Sequence, residues 1–319
     1  MDRVLITGIT GFAGSHLADY VLREHPEWQL HGTRRWSSRM DKVWHIEDEV
    51  RWHDCDLTDP ASVRATLIEV HPDRIFHLAA QSYVSPSWRM PSIYVETNVT
   101  GTINLLEGAR HIVKDARIHI AGSGEEYGLV HPEECPITED NPLRPVNPYA
   151  VTKVAQGMMA DVYHRSYEQD IVRTRAFNHI GPRRDNVFAI ASFAAQIVAC
   201  ERGRTPPIIW TGCLDATRDF LDVQDVARAY WLALEYGAAG GLYCVGSGTG
   251  VKIEELLTRL CALATVDNIV VRQDPNRVRP TEVPLLVTDS THFRKATGWT
   301  PKIPLDDTLA DIMEYWRAQ

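Results

Sequence analysis

The stretch that decides the fold lies near the N-terminus and reads TGITGFAGSHL over residues 7–17. An apolar, β-branched run, Val4–Thr7, leads into it, and a helical pattern near Ser15–Glu24 follows. Glycines spaced as GxxGxxG between a strand and a helix are typical of a turn that binds the pyrophosphate of a dinucleotide. They permit a tight turn, a close approach of backbone to phosphate, and close helix packing, while the helix N-terminus faces the negative charge. We therefore expect a dinucleotide to bind at Gly8, Thr10, Gly11, Phe12, Ala13 and Gly14; the alternative is a glycine-rich turn without a ligand.

The first half of the chain alternates strand patterns with helical patterns. Further strands are predicted at Gln29–Thr33, Val50–Cys55, Arg74–Ala80, Arg117–Ala121 and Ile171–Ala176. Helices are predicted between them at Pro60–Val70, Tyr94–Ala109 and Tyr149–Glu168. This alternation predicts an α/β protein with a Rossmann-like, doubly wound parallel sheet covered by helices on both faces. We expect this dinucleotide-binding domain over residues 1–176, with a returning segment near 215–245, and a smaller C-terminal substrate-binding lobe mainly over residues 177–319.

Composition excludes several other classes of protein. The 319 residues are 44% hydrophobic and 24% charged, which is typical of a globular protein. The net charge of −9 argues against a general basic surface for nucleic acid, and no run of about 18 apolar residues predicts a membrane span. No secretory signal pattern is visible, and the six cysteines are scattered without a CxxC pair, so we expect a cytoplasmic protein. The 13 histidines form no HExxH motif, and we predict no metal site.

The turn after the second predicted strand indicates which dinucleotide binds. An acidic residue there would accept from the ribose 2′-hydroxyl of NAD, whereas arginine suits the 2′-phosphate of NADP. The chain reads HGTRRWSS over residues 31–38, so Arg34 and Arg35 stand at this turn without a carboxylate. This favours NADP(H), with NAD(H) possible if both arginines are only solvated. Asp56 and Leu57, after the third strand, are expected at the adenine edge.

A second motif carries the chemistry. Tyr149 and Lys153 form a YxxxK pair, which a helix places on one face. A nearby ammonium lowers the pKa of a phenol, and such a tyrosine can act as a general acid or base. Ser123 follows the preceding strand, and its hydroxyl could polarise a carbonyl oxygen. The alternative is an ordinary exposed helix.

Together these motifs resemble the extended short-chain dehydrogenase/reductase family over essentially the whole chain. The segments that carry the resemblance are Thr7–Gly14, His77–Gln81, Asn98–Thr102, Ser123, Tyr149, Lys153, Arg218–Phe220 and Gly298–Pro301. The resemblance implies a Rossmann-like domain, a nucleotide-sugar lobe, and often a homodimer built through a four-helix bundle. It also implies that Leu78, Ala79, Ala80 and Gln81 contact the cofactor, together with Tyr149 and Lys153.

Within that family the GDP-mannose-related branch is the most similar. Most segments, including Ser123–Gly128 and Arg144–Tyr149, resemble GDP-4-keto-6-deoxy-D-mannose reductases, whereas Pro182–Arg184 resembles GDP-mannose 4,6-dehydratases. The resemblance implies NAD(P)H-dependent reduction of the C4 ketone of a GDP-4-keto-6-deoxyhexose to a GDP-6-deoxyhexose of the GDP-D-rhamnose type. Tyr149 would then protonate the alkoxide that forms, and Ser123 would bond the same oxygen.

Three alternatives stay open. A 4,6-dehydratase needs a base for the C5 proton and an acid for the C6 hydroxyl; Glu125 could be the base, but Gly124 offers no acid. Another nucleotide-sugar 4-epimerase or 4-reductase is the second alternative. A non-catalytic NADP(H)-binding regulator is the third, although such proteins commonly lose the tyrosine or the lysine.

The substrate is expected to be a GDP-sugar held by cations and polar groups. Arg184, Arg218 and Arg279 could bind its diphosphate; the alternative for each is a surface or interface ion pair. Asn178 is expected on the sugar-phosphate side, and Glu282 could accept from the guanine edge. The full predicted substrate site is Gln81, Tyr83, Ser123, Glu125, Asn178, Arg184, Arg218, Arg279 and Glu282.

Overall fold

The computed structural model describes residues 2–278, 281 and 283–319. Its strands are β1 (Arg3–Thr7), β2 (Gln29–Arg34), β3 (Arg51–Asp54), β4 (Arg74–His77), β5 (Arg117–Ser123), β6 (Ile171–Ala176), β7 (Asn178–Ile180), β8 (Ile208–Thr211), β9 (Thr217–Asp222), β10 (Leu242–Val245), β11 (Gly250–Lys252), β12 (Val270–Gln273) and β13 (Leu285–Leu286). Its α-helices are α1 (Phe12–Glu24), α2 (Pro60–Val70), α3 (Val84–Ser87), α4 (Pro91–Tyr94), α5 (Gly101–Ile112), α6 (Pro148–Tyr167), α7 (Ala189–Glu201), α8 (Val223–Tyr236), α9 (Ile253–Ala262), α10 (Thr291–Thr297) and α11 (Leu305–Ala318). Short 3₁₀ turns lie at Trp44–Glu49, Gly124–Tyr127, Pro132–Glu134 and Pro275–Arg277.

Seven parallel strands form the larger sheet, in the order β10-β6-β5-β4-β1-β2-β3. Strand β1 lies in the interior of the sheet, and its Leu5 is in register with His31 on one side and Ile75 on the other. The strand order reverses between β1 and β4, and in such sheets ligands bind beyond the carboxyl ends of the strands at that point. The predicted α/β, Rossmann-like fold is confirmed.

Helices cover both faces of this sheet, and the alternation of β1 shows how. Val4 and Ile6 pack in one core with α1 and α8, whose Trp231 lies in the same cluster. Leu5, between them in sequence, faces the opposite core with α2, α5 and α6. Since successive strand side chains point to opposite faces, a continuously apolar strand is what a sheet buried on both sides requires.

The second lobe is built around β9, which pairs with β7, β11 and β13. A third core lies under α7, α9 and α11. Helix α8 and strand β10 return from this part of the chain to the larger sheet. The buried Asp219 of β9 accepts hydrogen bonds from Ser247 and Gly248, which follow β10, and so ties the two sheets together.

The predicted bounds of Pro60–Val70 and Ile171–Ala176 are confirmed, and the helix predicted over Tyr94–Ala109 is present, although it is not α-helical throughout. A π-helical segment at Val95–Thr100 joins α4 directly to α5. There the buried Asn98 accepts from the backbone N–H of Gln81 at 2.7 Å and donates to the Gln81 carbonyl at 3.1 Å. These bonds secure the chain that follows β4, and such widened helical turns are frequent at functional sites.

A buried ion pair holds the turn that follows β5. Arg175 on β6 donates from Nε to Glu126 Oε2 at 2.7 Å and from Nη1 to the hydroxyl of Tyr127 at 3.0 Å. The other oxygen of Glu126 accepts from the backbone N–H of Ser123 at 2.8 Å. The pair therefore determines where the end of β5 and its turn lie.

We expect Arg175→Met to lower the free energy of unfolding at pH 7 by about 3–5 kcal/mol, because it leaves the buried Glu126 carboxylate without its partner. Urea unfolding, followed by circular dichroism, measures this. The double variant Arg175→Met/Glu126→Met removes both charges and should recover most of the loss. A single variant within about 1 kcal/mol of the parent would contradict this interpretation.

Candidate active site

A cleft of about 610 Å³ opens beyond the carboxyl ends of the central strands, between the two lobes. Most of the residues predicted for cofactor and substrate line it. They are Gly8, Thr10, Gly11, Phe12, Ala13, Gly14, Arg34, Arg35, Asp56, Leu57, Leu78, Ala79, Ala80, Gln81, Ser123, Glu125, Tyr149, Lys153, Asn178 and Arg184.

Four predicted residues are not among those that line the cleft. Tyr83 packs its ring against Phe188, which does line it, with the ring centroids 5.6 Å apart. Arg218 is buried on β9, donates from Nη1 to the Thr217 carbonyl, and is in register with Leu286, which does line the cleft. Arg279 and Glu282 lie outside the described residues.

The glycine loop has the geometry that a pyrophosphate needs. Gly8 has φ +73°, and a Cβ there would lie 2.7 Å from the backbone of Ala79. A Cβ at Gly14 would lie 2.2 Å from the Gly8 carbonyl oxygen. Gly11 is the N-cap of α1 and has no side chain that could cap the helix, so the first N–H groups of α1 are left to bind a ligand. The first turn of the helix lines the cleft. These residues fit a bound dinucleotide.

The two arginines of the next turn differ in their surroundings. Arg34 donates from Nε to Asp54 Oδ1 at 3.1 Å, and its guanidinium lies 5.7 Å from the ring centroid of Trp52. Arg35 is exposed at the rim of the cleft, where Ser38 closes the turn through its hydroxyl at 2.9 Å from Arg35 N. The Asp54 carboxylate on β3 therefore partly neutralises Arg34, and Arg35 is the more accessible of the two cations.

Tyr149 stands in the first turn of α6, and both Tyr149 and Ser123 line the cleft. Burial, assisted by the charges of Glu125 and Glu126, raises the pKa of Tyr149 to about 12. The Ser123 hydroxyl and the charge of Arg184 act in the opposite direction. At neutral pH the phenol is therefore protonated and able to donate.

Lys153 lies one turn further along the same helix, as its spacing predicts, but its ammonium is engaged elsewhere. It donates to the Ala121 carbonyl at 2.6 Å and to Gln156 Oε1. Burial lowers the pKa of Lys153 to about 8, with Glu126 opposing this. That Lys153 lowers the pKa of Tyr149 stays a prediction; burial has the largest effect on the phenol.

The turn after Ser123 carries the residues that would distinguish reduction from dehydration. Asn147 caps α6 by accepting from Ala150 N at 2.8 Å, and it donates to Glu125 Oε2 at 3.1 Å. A Cβ at Gly124 would lie 3.0–3.2 Å from the ring of Phe177. A side chain at Gly124 would therefore require the phenyl ring to shift.

The adjacent residues Arg183 and Arg184 make different contacts. Arg183 donates to Asp19 at 2.6 Å and contacts His16, so it joins the loop to α1. The Arg184 guanidinium lies 4.6 Å from the ring centroid of Phe12 and 3.5 Å from that of Phe188. Burial lowers the pKa of Arg184 to about 10, and Tyr149 partly offsets this.

Several cleft residues were not predicted from the sequence. Four of them are aromatic: Phe177, His179, Phe188 and Tyr230. Two of these flank Asn178, which was predicted as a site residue, and that position is the signal that could have found them. His179 stacks parallel to Phe12 with centroids 5.8 Å apart.

In the part of the chain that the structure describes, no group of His, Cys, Asp or Glu side chains could hold a metal ion. Among the same residues, no helix has both the length and the apolar character to cross a membrane.

Comparison with known proteins identifies the family. The family described as GDP-mannose 4,6 dehydratase matches residues 5–312. The GDP-6-deoxy-D-mannose reductase of Pseudomonas aeruginosa is 34% identical over 318 residues, which cover 100% of this chain and 98% of the relative. A GDP-mannose 4,6-dehydratase of Yersinia enterocolitica is 31% identical, with 98% of this chain and 93% of the relative covered.

A solved structure shows the same fold. The RMD protein of Pseudomonas aeruginosa, solved in complex with NADPH, superposes with a TM-score of 0.87 at 33% identity and covers 100% of this chain and 99% of its own. The chain is therefore a member of the GDP-mannose 4,6 dehydratase family, within the extended short-chain dehydrogenases/reductases.

Proposed function

We propose that this protein reduces the C4 ketone of a GDP-4-keto-6-deoxyhexose to the alcohol, giving a GDP-6-deoxyhexose of the GDP-D-rhamnose type. The observation that carries the proposal is that Ser123 and Tyr149 line the same cleft as the glycine loop. A reductase of this kind needs a hydride donor, a proton donor and a polarised ketone. The similarity to the Pseudomonas aeruginosa reductase supports the same reaction.

Bound NADPH would supply the hydride to C4. Tyr149, protonated at neutral pH, donates its proton to the alkoxide oxygen that develops. Ser123 donates a hydrogen bond to the same oxygen and stabilises its charge. The Lys153 ammonium holds the nicotinamide ribose, and the N-terminus of α1 binds the pyrophosphate.

Gly124 favours reduction over dehydration. An elimination across C5 and C6 requires an acid as well as the base that Glu125 could supply. The Phe177 ring lies within 3.0–3.2 Å of a Cβ built at Gly124, which leaves little room for an acidic side chain. The dehydratase relatives and the Arg183-Arg184 pair support the alternative, a GDP-mannose 4,6-dehydratase. Another 4-epimerase or 4-reductase of a nucleotide sugar would use the same Tyr149 and ketone geometry.

NADP(H) is the proposed cofactor, with NAD(H) as the alternative. Arg35 is exposed at the rim beside the hydroxyl of Ser38, and both groups suit a 2′-phosphate. The NADPH complex of the Pseudomonas aeruginosa protein is consistent with this choice.

The proposed assembly is a homodimer formed through α6 and the helices beside it. Val151, Met158 and Val162 follow one another at helical spacing on α6 and are each at least half exposed. A second copy of this face would bury that stripe. We also propose that the protein works in the cytoplasm, as its six unpaired cysteines suggest.

The parent protein should bind NADPH more tightly than NADH. Arg35→Ala should weaken NADPH binding at least tenfold, because a hydrogen-bonded charged contact contributes about 1.5–3 kcal/mol, and should leave NADH binding unchanged. Arg34→Ala should have the smaller effect, since Asp54 shares that guanidinium. Fluorescence titration measures both, and Arg39→Ala, an exposed arginine paired with Asp41, is the control. Equal affinity of the parent for both cofactors would refute the assignment.

Tyr149→Phe should lower turnover by roughly 10²–10⁴ and leave binding of the nucleotide sugar nearly intact, because it removes only the proton donor. Ser123→Ala should lower turnover with little change in cofactor affinity, whereas Lys153→Met should reduce both. The assay follows NADPH oxidation with GDP-4-keto-6-deoxymannose. Tyr163→Phe removes a hydroxyl from the same helix, one bonded to Glu107, and should stay fully active. Turnover retained in Tyr149→Phe would show that the phenol is not the proton donor, whereas a parent that binds NADPH without turnover would point to a cofactor-binding regulator.

Glu125→Gln separates the two leading functions. A reductase needs no base at C5 and should keep much of its rate, whereas a dehydratase should lose nearly all activity. The decisive assay incubates parent and variant with GDP-mannose alone and analyses the product by mass spectrometry. If the parent forms the 4-keto-6-deoxy sugar and the variant does not, the protein is a dehydratase.

A further inference from the structure

A continuous chain of buried hydrogen bonds leads from Lys153 to the strand that enters the glycine loop. Its members, here called the Lys153 chain, come from four different elements and are each at most 4% exposed. They are Lys153, Gln156, Thr102, His77 and Thr7.

Chemistry determines the direction of the first bonds. An ammonium only donates, so the Gln156 amide must turn its oxygen toward Lys153 and its NH₂ group toward Thr102. The distance from Gln156 Nε2 to Thr102 Oγ1 is 2.8 Å. The Thr102 hydroxyl donates to the Asn98 carbonyl at 2.7 Å, and its oxygen is thereby an acceptor for its other neighbours.

The remaining bonds follow from this. His77 Nε2 lies 2.9 Å from Thr102 Oγ1 and must donate to it. Burial, followed by the charge of Lys153, lowers the pKa of His77 to about 3, so the ring is neutral and its Nδ1 accepts. The Thr7 hydroxyl donates to that nitrogen at 2.8 Å, and its own oxygen accepts from Ala79 N at 3.4 Å. Every member of the chain thus has a consistent role.

The arrangement also determines what Lys153 can offer to the cleft. Of the three ammonium protons, one goes to Ala121 O and one to Gln156 Oε1. Among the described residues no acceptor is recorded for the third, and Lys153 lines the cleft.

We propose that Gln156 is a positioning residue for Lys153: it orients the ammonium so that one proton faces the cofactor, and the buried chain through Thr102 and His77 orients Gln156 in turn. This inference rests on the proposed function, because it assigns to Lys153 the task of holding the cofactor ribose. Gln156 touches neither cofactor nor substrate in this assignment.

Among the titratable groups named here around Lys153, Lys153 itself is expected to change charge in the pH range of the test, so its protonation can report on Gln156. His77 on β4 and His119 on β5 both have their pKa lowered to about 3 by burial. The pKa of Tyr149, on the same helix, is raised to about 12. The carboxylate that acts on Lys153 is Glu126, which is paired with Arg175. Between pH 7 and 9.5 the change in charge at this place is therefore that of Lys153, whose pKa is lowered to about 8.

The test is the pH dependence of NADPH affinity from pH 7 to 9.5, above the range in which the 2′-phosphate titrates. The parent should lose affinity with a midpoint near pH 8, as Lys153 loses its proton. Gln156→Leu removes an acceptor from the ammonium and should lower the midpoint by about one pH unit, a tenfold change equal to about 1.4 kcal/mol. Gln156→Glu places a carboxylate there and should raise the midpoint. Thr102→Val, which loosens Gln156, should lower it by less.

Gln169→Leu is the matched control, because Gln169 is also buried and bonds the Leu106 carbonyl instead. It should leave the midpoint unchanged. A purely structural role for Gln156 would lower thermal stability without moving the midpoint, or would move it in the same direction in both Gln156 variants; either result overturns the proposal. If Gln156→Leu does not fold, the other two variants test the proposal, because the pH midpoint should rise in Gln156→Glu and fall in Thr102→Val. A parent that binds NADPH but reduces no ketone would overturn the proposed function alone, and a parent that binds no nicotinamide cofactor would overturn both.

Discussion

The close approach of two backbones at the end of the central strands is the constraint on which this structure depends. Gly8 follows β1, Ala79 follows β4, and a Cβ on the glycine would lie 2.7 Å from the alanine backbone. A side chain there would push the two strand ends apart. Because they stay together, the N-terminus of α1 and the segment after β4 border one cleft, and Thr7 reaches His77 just beneath it.

Burial sets the electrostatics of this cleft. It raises the pKa of Tyr149 to about 12 and lowers that of Lys153 to about 8, so both groups carry their protons at neutral pH. That state suits a site that gives a proton to an alkoxide. The buried Glu126 is held by Arg175, which keeps the turn beside Tyr149 in place. The buried charges of Lys153 and Glu126 are therefore hydrogen-bonded or paired, as a low-dielectric interior requires.

The two reactions weighed for this cleft, reduction and dehydration, both involve a ketone at C4, and they differ in whether an acid and a base also act on the neighbouring carbons. Glu125, the proposed base, accepts a hydrogen bond from Asn147, and Gly124 lies against the Phe177 ring. Positions 124 and 177, about fifty residues apart in sequence, thus bear jointly on which reaction the cleft favours. A side chain at Gly124 would require the ring to shift.

The sequence by itself determined the features that depend on local spacing. The glycine loop, the YxxxK pair and Ser123 at a strand end were all predicted, because strand, turn and helix periodicities place such residues within a few positions of one another. Tertiary structure alone decided the rest. Asp54 pairs with Arg34, Arg183 forms an ion pair whereas Arg184 lines the cleft, and Gln156 accepts a hydrogen bond from the Lys153 ammonium. Each of these outcomes is a contact or a burial set by the packing of elements distant in sequence, and no short motif encodes which side chains such packing will bring together.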